Sequence, residues 1–238
     1  MQTRKIEYQA DGEAMVGYMA RPAGDVSGPA VLIAHEGYGM TEHAHHRARM
    51  LADLGYVAYV FDYHGGGRNH PAEVAGARLN TWRTDPGGIR RRAQMGLEIL
   101  LAEPDVDAGR IAAIGYCFGG AAVAELARTG ADVKAVVGFH PSLRTGRPED
   151  SVKIRGKVLM LVGSDDPYAT VEDRLAFEDD MTAARVDWRL VLYGGVQHSF
   201  TSPEAGASGS PGIAYHGPTD RHSWREMLDL FGETIGTP

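Results

Sequence analysis

The chain has 238 residues, of which 43% are hydrophobic and 23% charged, and a formal net charge of −7. That balance suits a globular α/β protein with a sizeable core and argues against a nucleic-acid partner, which requires a basic surface. No stretch approaches the roughly 20 apolar residues of a membrane helix, and the N-terminal MQTRKIEYQADGEAM lacks a signal-peptide core. One cysteine rules out an intramolecular disulfide framework, so the expectation is a cytoplasmic protein with no membrane partner.

Two short extended runs, residues 4–9 and 14–20, flank Asp11-Gly12, a hairpin signal. Six apolar runs of buried-strand character follow: AVLIA (30–34), VAYVF (57–61), RIAAIGY (110–116), KAVVGF (134–139), KVLMLVG (157–163) and WRLVLY (188–193). Helical stretches are predicted at 42–54, 87–101, 119–128, 171–184 and 221–231. This alternation predicts an α/β fold, a mostly parallel sheet with helices on both faces, in one domain spanning 1–238. Residues 64–86 and 202–218 lack a strong period and read as irregular active-site loops.

The segment Gly115-Tyr116-Cys117-Phe118-Gly119-Gly120 joins an apolar strand to an Ala-rich helix. It has the form of a G-x-nucleophile-x-G elbow with cysteine in the nucleophile's place. A sulfur at a helix N-terminus is favoured as thiolate. The plainer alternative is a structural cysteine in a glycine-rich turn. A cysteine hydrolase needs a base and an acid to orient it, in the chain order nucleophile, acid, histidine. GSDDP (163–167) offers Asp165 or Asp166 at a strand's C-terminal end, where either could instead cap the next helix. YGGVQHSF (193–200) offers His198 just beyond the last strand.

HEGYGM (35–40), GYCFGG (115–120), GSDDP and YGGVQHSF together resemble the dienelactone hydrolase family of α/β-hydrolases. The resemblance implies an eight-stranded sheet and a triad of Cys117, His198 and Asp166, the last standing three residues after Gly163. It also implies that Glu36 pairs with the cysteine in the resting enzyme and helps it ionise. The backbone N–H groups of Gly37 and Phe118 match the oxyanion hole. The implied activity is hydrolysis of a small-molecule ester or lactone through an acyl-thioenzyme, by a monomer or homodimer, with no metal and no cofactor.

The family's chlorocatechol-pathway members bind a substrate carboxylate through arginines, one of them shortly after the histidine. Here Ser199-Phe200-Thr201-Ser202-Pro203 follows His198 with no arginine, leaving Arg78, Arg83 or Arg90 as replacements. Tyr38, Tyr63, Trp82, Arg83 and Phe200 are candidate substrate-binding residues, with packing under loops the alternative for the aromatic ones. His35, His43, His45, His46, His64 and His70 read as solvent-facing rather than metal-binding, and Arg90-Arg91-Arg92 as a solvated helix face. The competing functions are a thioesterase or general carboxylesterase without dienelactone activity, and a non-catalytic ligand-binding or sensing protein. A disulfide cycle within the chain is excluded because no resolving cysteine exists.

Overall fold

The computed structural model describes residues 1–24, 28–207 and 209–238. Strands β1 (Gln2–Ala10) and β2 (Glu13–Arg21) form an antiparallel hairpin. Its tip, Asp11-Gly12, has φ of 50° and 76°, the positive values that a two-residue turn of matching twist demands. The remaining strands are β3 (Gly28–Ala34), β4 (Val57–Phe61), β5 (Val106–Tyr116), β6 (Ala135–Phe139), β7 (Lys157–Gly163) and β8 (Trp188–Tyr193). They build one eight-stranded sheet in the order β1-β2-β4-β3-β5-β6-β7-β8, parallel from β4 to β8.

Alternation along the strands sorts side chains to two faces. Leu32 and Ala34 of β3 join Tyr59, Ile111 and Val136 under helices α2 (Ala72–Thr84), α3 (Gly87–Leu101), α4 (Phe118–Arg128) and α5 (Val171–Ala183). Val31 and Ile33 join Val60, Ile114 and Leu161 under α1 (Glu42–Asp53) and α6 (Gly217–Thr234). Each fully buried Leu or Ile in these layers contributes about 2 to 3 kcal/mol of hydrophobic stabilisation before entropy is charged. Among the described residues, no helix is long and apolar enough to cross a membrane.

The chain passes from β3 to β4 on one side and then to β5 on the other. The strand order therefore reverses between β3 and β5, and a crevice opens beyond their C-terminal ends.

Three expectations need correction. Residues 64–86 are not irregular throughout, because α2 occupies Ala72–Thr84 and buries Ala75, Leu79 and Trp82. Arg90-Arg91-Arg92 is solvated only at Arg91, which is exposed and pairs with Asp11. Arg92 is buried and donates to Tyr63 O at 2.8 Å, while Arg90 pairs with Glu125 and Asp150. His35, His43 and His64 are likewise buried rather than solvent-facing.

Candidate active site

Parallel pairing of β3 with β5, with Ala34 opposite Gly115, sets two chain segments side by side at the reversal. Beyond β5 the chain turns into α4 through Cys117, whose φ of 56° and ψ of −123° are costly for a residue with a Cβ. The strain is held in place by its surroundings. Cys117 N–H donates to Phe139 O at 3.0 Å and lies 3.2 Å from His140 Nδ1, and Gly120 N–H donates to Cys117 O at 3.1 Å. The flanking glycines are required by close approach. A Cβ on Gly115 would fall 2.0 Å from Gly119 O, and one on Gly119 2.3 Å from His35 O. α4 thus abuts β3, and its N-terminus begins directly after Cys117.

His198 stands on the turn after β8. Its Nδ1 is 2.7 Å from Asp166 Oδ2, and Asp166 Oδ1 accepts from Tyr168 N–H at 2.8 Å. Both side chains are buried. Asp165 turns away and accepts from Ser164 Oγ at 2.7 Å, so of the two aspartates the fold brings Asp166 to the histidine. The 202–218 segment supports the turn, since His198 N–H donates to Gly212 O at 2.9 Å and Ala214 N–H to His198 O at 3.0 Å. The rings of His140 and Tyr168 meet the imidazole edge-on at 5.0 and 4.8 Å.

Cys117 and His198 face the same cavity and shift each other's ionisation. Burial alone would push the thiol up, but the charge and hydrogen bond of His198, with the N–H of Gly37, hold it below its ordinary value. Burial alone would lower His198. The Cys117 charge and the Asp166 hydrogen bond instead raise it to about 10. Each shift favours the charged form of its own group.

The turn after β3 is fixed from β4's side. Tyr63 Oη lies 2.9 Å from His35 O and 2.8 Å from Glu36 O, donating to this pair, and His64 Nε2 lies 2.8 Å from Gly37 O. The Gly37 N–H is left to meet the sulfur. Glu36 stands on the same turn and lines the cavity with Cys117. Its carboxylate faces Thr41 Oγ1 at 3.5 Å and His43 Nδ1 at 3.4 Å, while the thiol pairs with His198. Burial raises Glu36 to about 6, and its charge pushes the Cys117 thiol up rather than down.

Cys117, His198, Glu36, Gly37 and Phe118 open onto a cavity of about 580 Å³. Tyr38 and Arg83 line it as expected. Trp82 and Phe200 do not. Trp82 packs against Tyr63, His64 and Phe118, and Phe200 is wholly buried against His140 and Tyr193. Tyr63 is also core rather than wall. Arg78 is engaged by His64 O and Glu13, and Arg90 by Glu125 and Asp150, so only Arg83 of the three arginines reaches the cavity. Tyr168, Leu79, Ile213 and Glu204 also line it, without having been anticipated. Leu79 was signalled by its i, i+4, i+7 spacing with Ala75 and Trp82; the other three sit in turns with no periodic signal. Among the described residues, no group of three His, Cys, Asp or Glu side chains converges as a metal site would need.

The sequence profile of the dienelactone hydrolase family matches residues 15–235. A curated relative from Bradyrhizobium sp, named "Probable 2-oxo-3-(5-oxofuran-2-ylidene)propanoate lactonase", is 26% identical over 205 residues, 82% of each chain. Among solved structures, the dienelactone hydrolase-like promiscuous phosphotriesterase P91 from metagenomic libraries is 38% identical, with a TM-score of 0.91 over 98% of both chains. A protein named m3DLH is 39% identical, with a TM-score of 0.93 over 100% of this chain and 99% of its own. The chain belongs to the dienelactone hydrolase family and is a carboxylic ester hydrolase with the α/β-hydrolase fold.

Proposed function

We propose that the chain cleaves an ester or lactone through an acyl-thioenzyme on Cys117, with His198 as proton carrier and Asp166 as its orienting group. The observation that carries this reading is that Cys117 and His198 face the same cavity, with the His198 Nδ1 2.7 Å from Asp166 Oδ2. The thiolate adds to the carbonyl carbon, and the carbonyl electrons move to oxygen. The resulting oxyanion is received by the N–H groups of Gly37 and Phe118, each such donor contributing on the order of 3 kcal/mol. Collapse breaks the C–O bond, and the leaving alkoxide takes the proton of the His198 imidazolium.

Acylation also resets the base. The Cys117 charge is the largest influence raising His198, and it disappears when the sulfur is acylated. His198 can then be neutral and accept a proton from water, whose oxygen attacks the thioester carbonyl. The second collapse expels the thiolate, releases the acid and restores the ion pair. Glu36, raised to about 6, sits beside this sequence as a group that titrates near neutrality.

A phosphotriester is a second substrate class, favoured by the 38% identical neighbour whose name carries that activity. The same thiolate and paired N–H donors suit attack on a P=O centre. The test is turnover by wild type and Cys117→Ala of aryl esters, thioesters, lactones, a carboxylated dienelactone and an aryl phosphotriester. Cys117→Ala is expected to lose about 10,000-fold or more of the ester activity while keeping its fold. Intact mass spectrometry of the wild type with a slow ester should show the acyl adduct. Activity retained in Cys117→Ala, or an adduct on another residue, would sink the assignment.

A further inference from the structure

The charges on the cavity wall are unevenly compensated. Three carboxylates, Glu36, Glu42 and Glu204, line it against one guanidinium, Arg83. Glu42 is paired with Arg49 and His45. Glu36 touches Thr41 and His43, an imidazole that burial holds neutral at a pKa of about 3, and the positive charge acting on it is that of His198, which is shared with Cys117 and Asp166. The buried His43 Nδ1 that faces it has no hydrogen-bond partner among the described residues. Glu204 lies on the segment that cradles His198. Its carboxylate has no hydrogen bond or ion pair among the described residues, and its charge reaches Glu36. Arg83 stands on α2, donates to Asn80 Oδ1 at 2.8 Å and covers the Phe118 ring at 5.6 Å. The rest of the wall is largely apolar, with Tyr38, Leu79, Tyr168, Ala205 and Ile213.

Resting on the ester-hydrolase reading above, we propose that this cavity selects esters and lactones whose acyl part is apolar and bears no negative charge, neutral or cationic, and that Glu204 sets the preference. A carboxylate entering the site would give up water and meet Glu204, which has no cationic partner among the described residues, and Glu36, whose opposing charge on His198 is shared with Cys117 and Asp166, while the Arg83 guanidinium lies over Phe118 and donates to Asn80. An ammonium would find the reverse. The same field acts on the product. Hydrolysis creates a carboxylate at the reacting carbon, and Glu204 favours its departure.

The proposal is tested with three aryl esters of matched shape, whose acyl chains end in a carboxylate, a methyl group or an ammonium. kcat/KM is measured for wild type, Glu204→Gln, Glu204→Lys and Arg83→Gln, with Cys117→Ala as the blank. Wild type is expected to rank the ammonium ester at or above the neutral one and the carboxylate ester last. The anionic-to-neutral ratio should rise about 3- to 10-fold in Glu204→Gln and further in Glu204→Lys. The wild-type discrimination should shrink in about 0.5 M salt, which a purely steric selection would not do. A wild-type preference for the carboxylate ester that Arg83→Gln abolishes would overturn the proposal, as would a ratio unmoved by either Glu204 variant. Failure of folded wild type to turn over any of the three esters would overturn the hydrolase reading and this proposal together. Cys117-dependent turnover without charge preference would overturn the proposal alone.

Discussion

Glu36 shows how much a single partly buried carboxylate can govern. Burial raises it from the ordinary carboxylate range to about 6, against the pull of His198 and Thr41. Below the ordinary range the group is neutral in folded and unfolded chain alike. The neutral form that the fold favours is lost as the pH rises through about 6, and from there the fold carries a partly buried charge. Glu36→Gln removes that cost. It should stabilise the protein by about 1 to 2 kcal/mol at pH 8, or roughly 2 to 6 °C in Tm, and by little at pH 4. Thermal melts at the two pH values check the sign. The same variant should ionise Cys117 at lower pH, since the Glu36 charge pushes the thiol up. Iodoacetamide labelling across pH would read this, and slower labelling in Glu36→Gln would restore the role that the family resemblance implies. The residues legible in the sequence were those with a motif around them: Cys117 in its glycine elbow, and His198 and Asp166 at strand ends in the required order. His43 was misread because its burial is made by residues far along the chain. Its Nε2 lies 3.0 Å from Thr201 O and accepts from Arg47 Nε at 3.2 Å.

At the scale of elements, the site depends on how closely α4 can approach β3. Gly119 is where they touch, and a Cβ there would lie 2.3 and 2.5 Å from the carbonyl oxygens of His35 and Ala34. Neither is the end of a flexible side chain, so the helix itself would have to withdraw. Gly119→Ala should therefore cost about 3 kcal/mol, the upper end of overpacking in a close-packed interior. It should also separate the Gly37 N–H from the Cys117 sulfur, and a displacement of about 1 Å can lower kcat/KM by about 100-fold. Urea midpoints and ester kinetics measured together test both. Normal activity in a destabilised variant would show that the elbow tolerates the shift. Legibility at this scale followed periodicity. The apolar strands and the strongly patterned helices were visible, whereas α2 was hidden in a Gly-, Arg- and His-rich stretch. Its signal was present, since Ala75, Leu79 and Trp82 stand at i, i+4 and i+7, but three buried positions in thirteen make a thin stripe.

Across the whole molecule, the segments that meet at the cavity follow the C-terminal ends of the six parallel strands, β3 to β8, with α2 supplying Leu79 and Arg83 after β4 and Ser142 following β6. Strand-helix alternation made the parallel sheet legible, but the strand order was not. Pairing between β3 and β5 joins residues about eighty positions apart, and no local pattern encodes it. That long-range pairing has a thermodynamic consequence. In each central strand successive side chains belong to opposite layers, so neither layer can loosen without disturbing the strand that the other rests on. The three tryptophans sample both sides, Trp82 and Trp188 with the layer under α2 to α5 and Trp224 with the layer under α1 and α6. Urea unfolding followed by tryptophan fluorescence, ester hydrolysis and accessibility of the Cys117 thiol should then give one coincident transition. Loss of activity at a lower urea concentration than loss of fluorescence would show the 202–218 segment and the His198 turn opening before the sheet. Two separate fluorescence transitions would mean that the layers are independent units, against the one-domain organisation expected from the sequence.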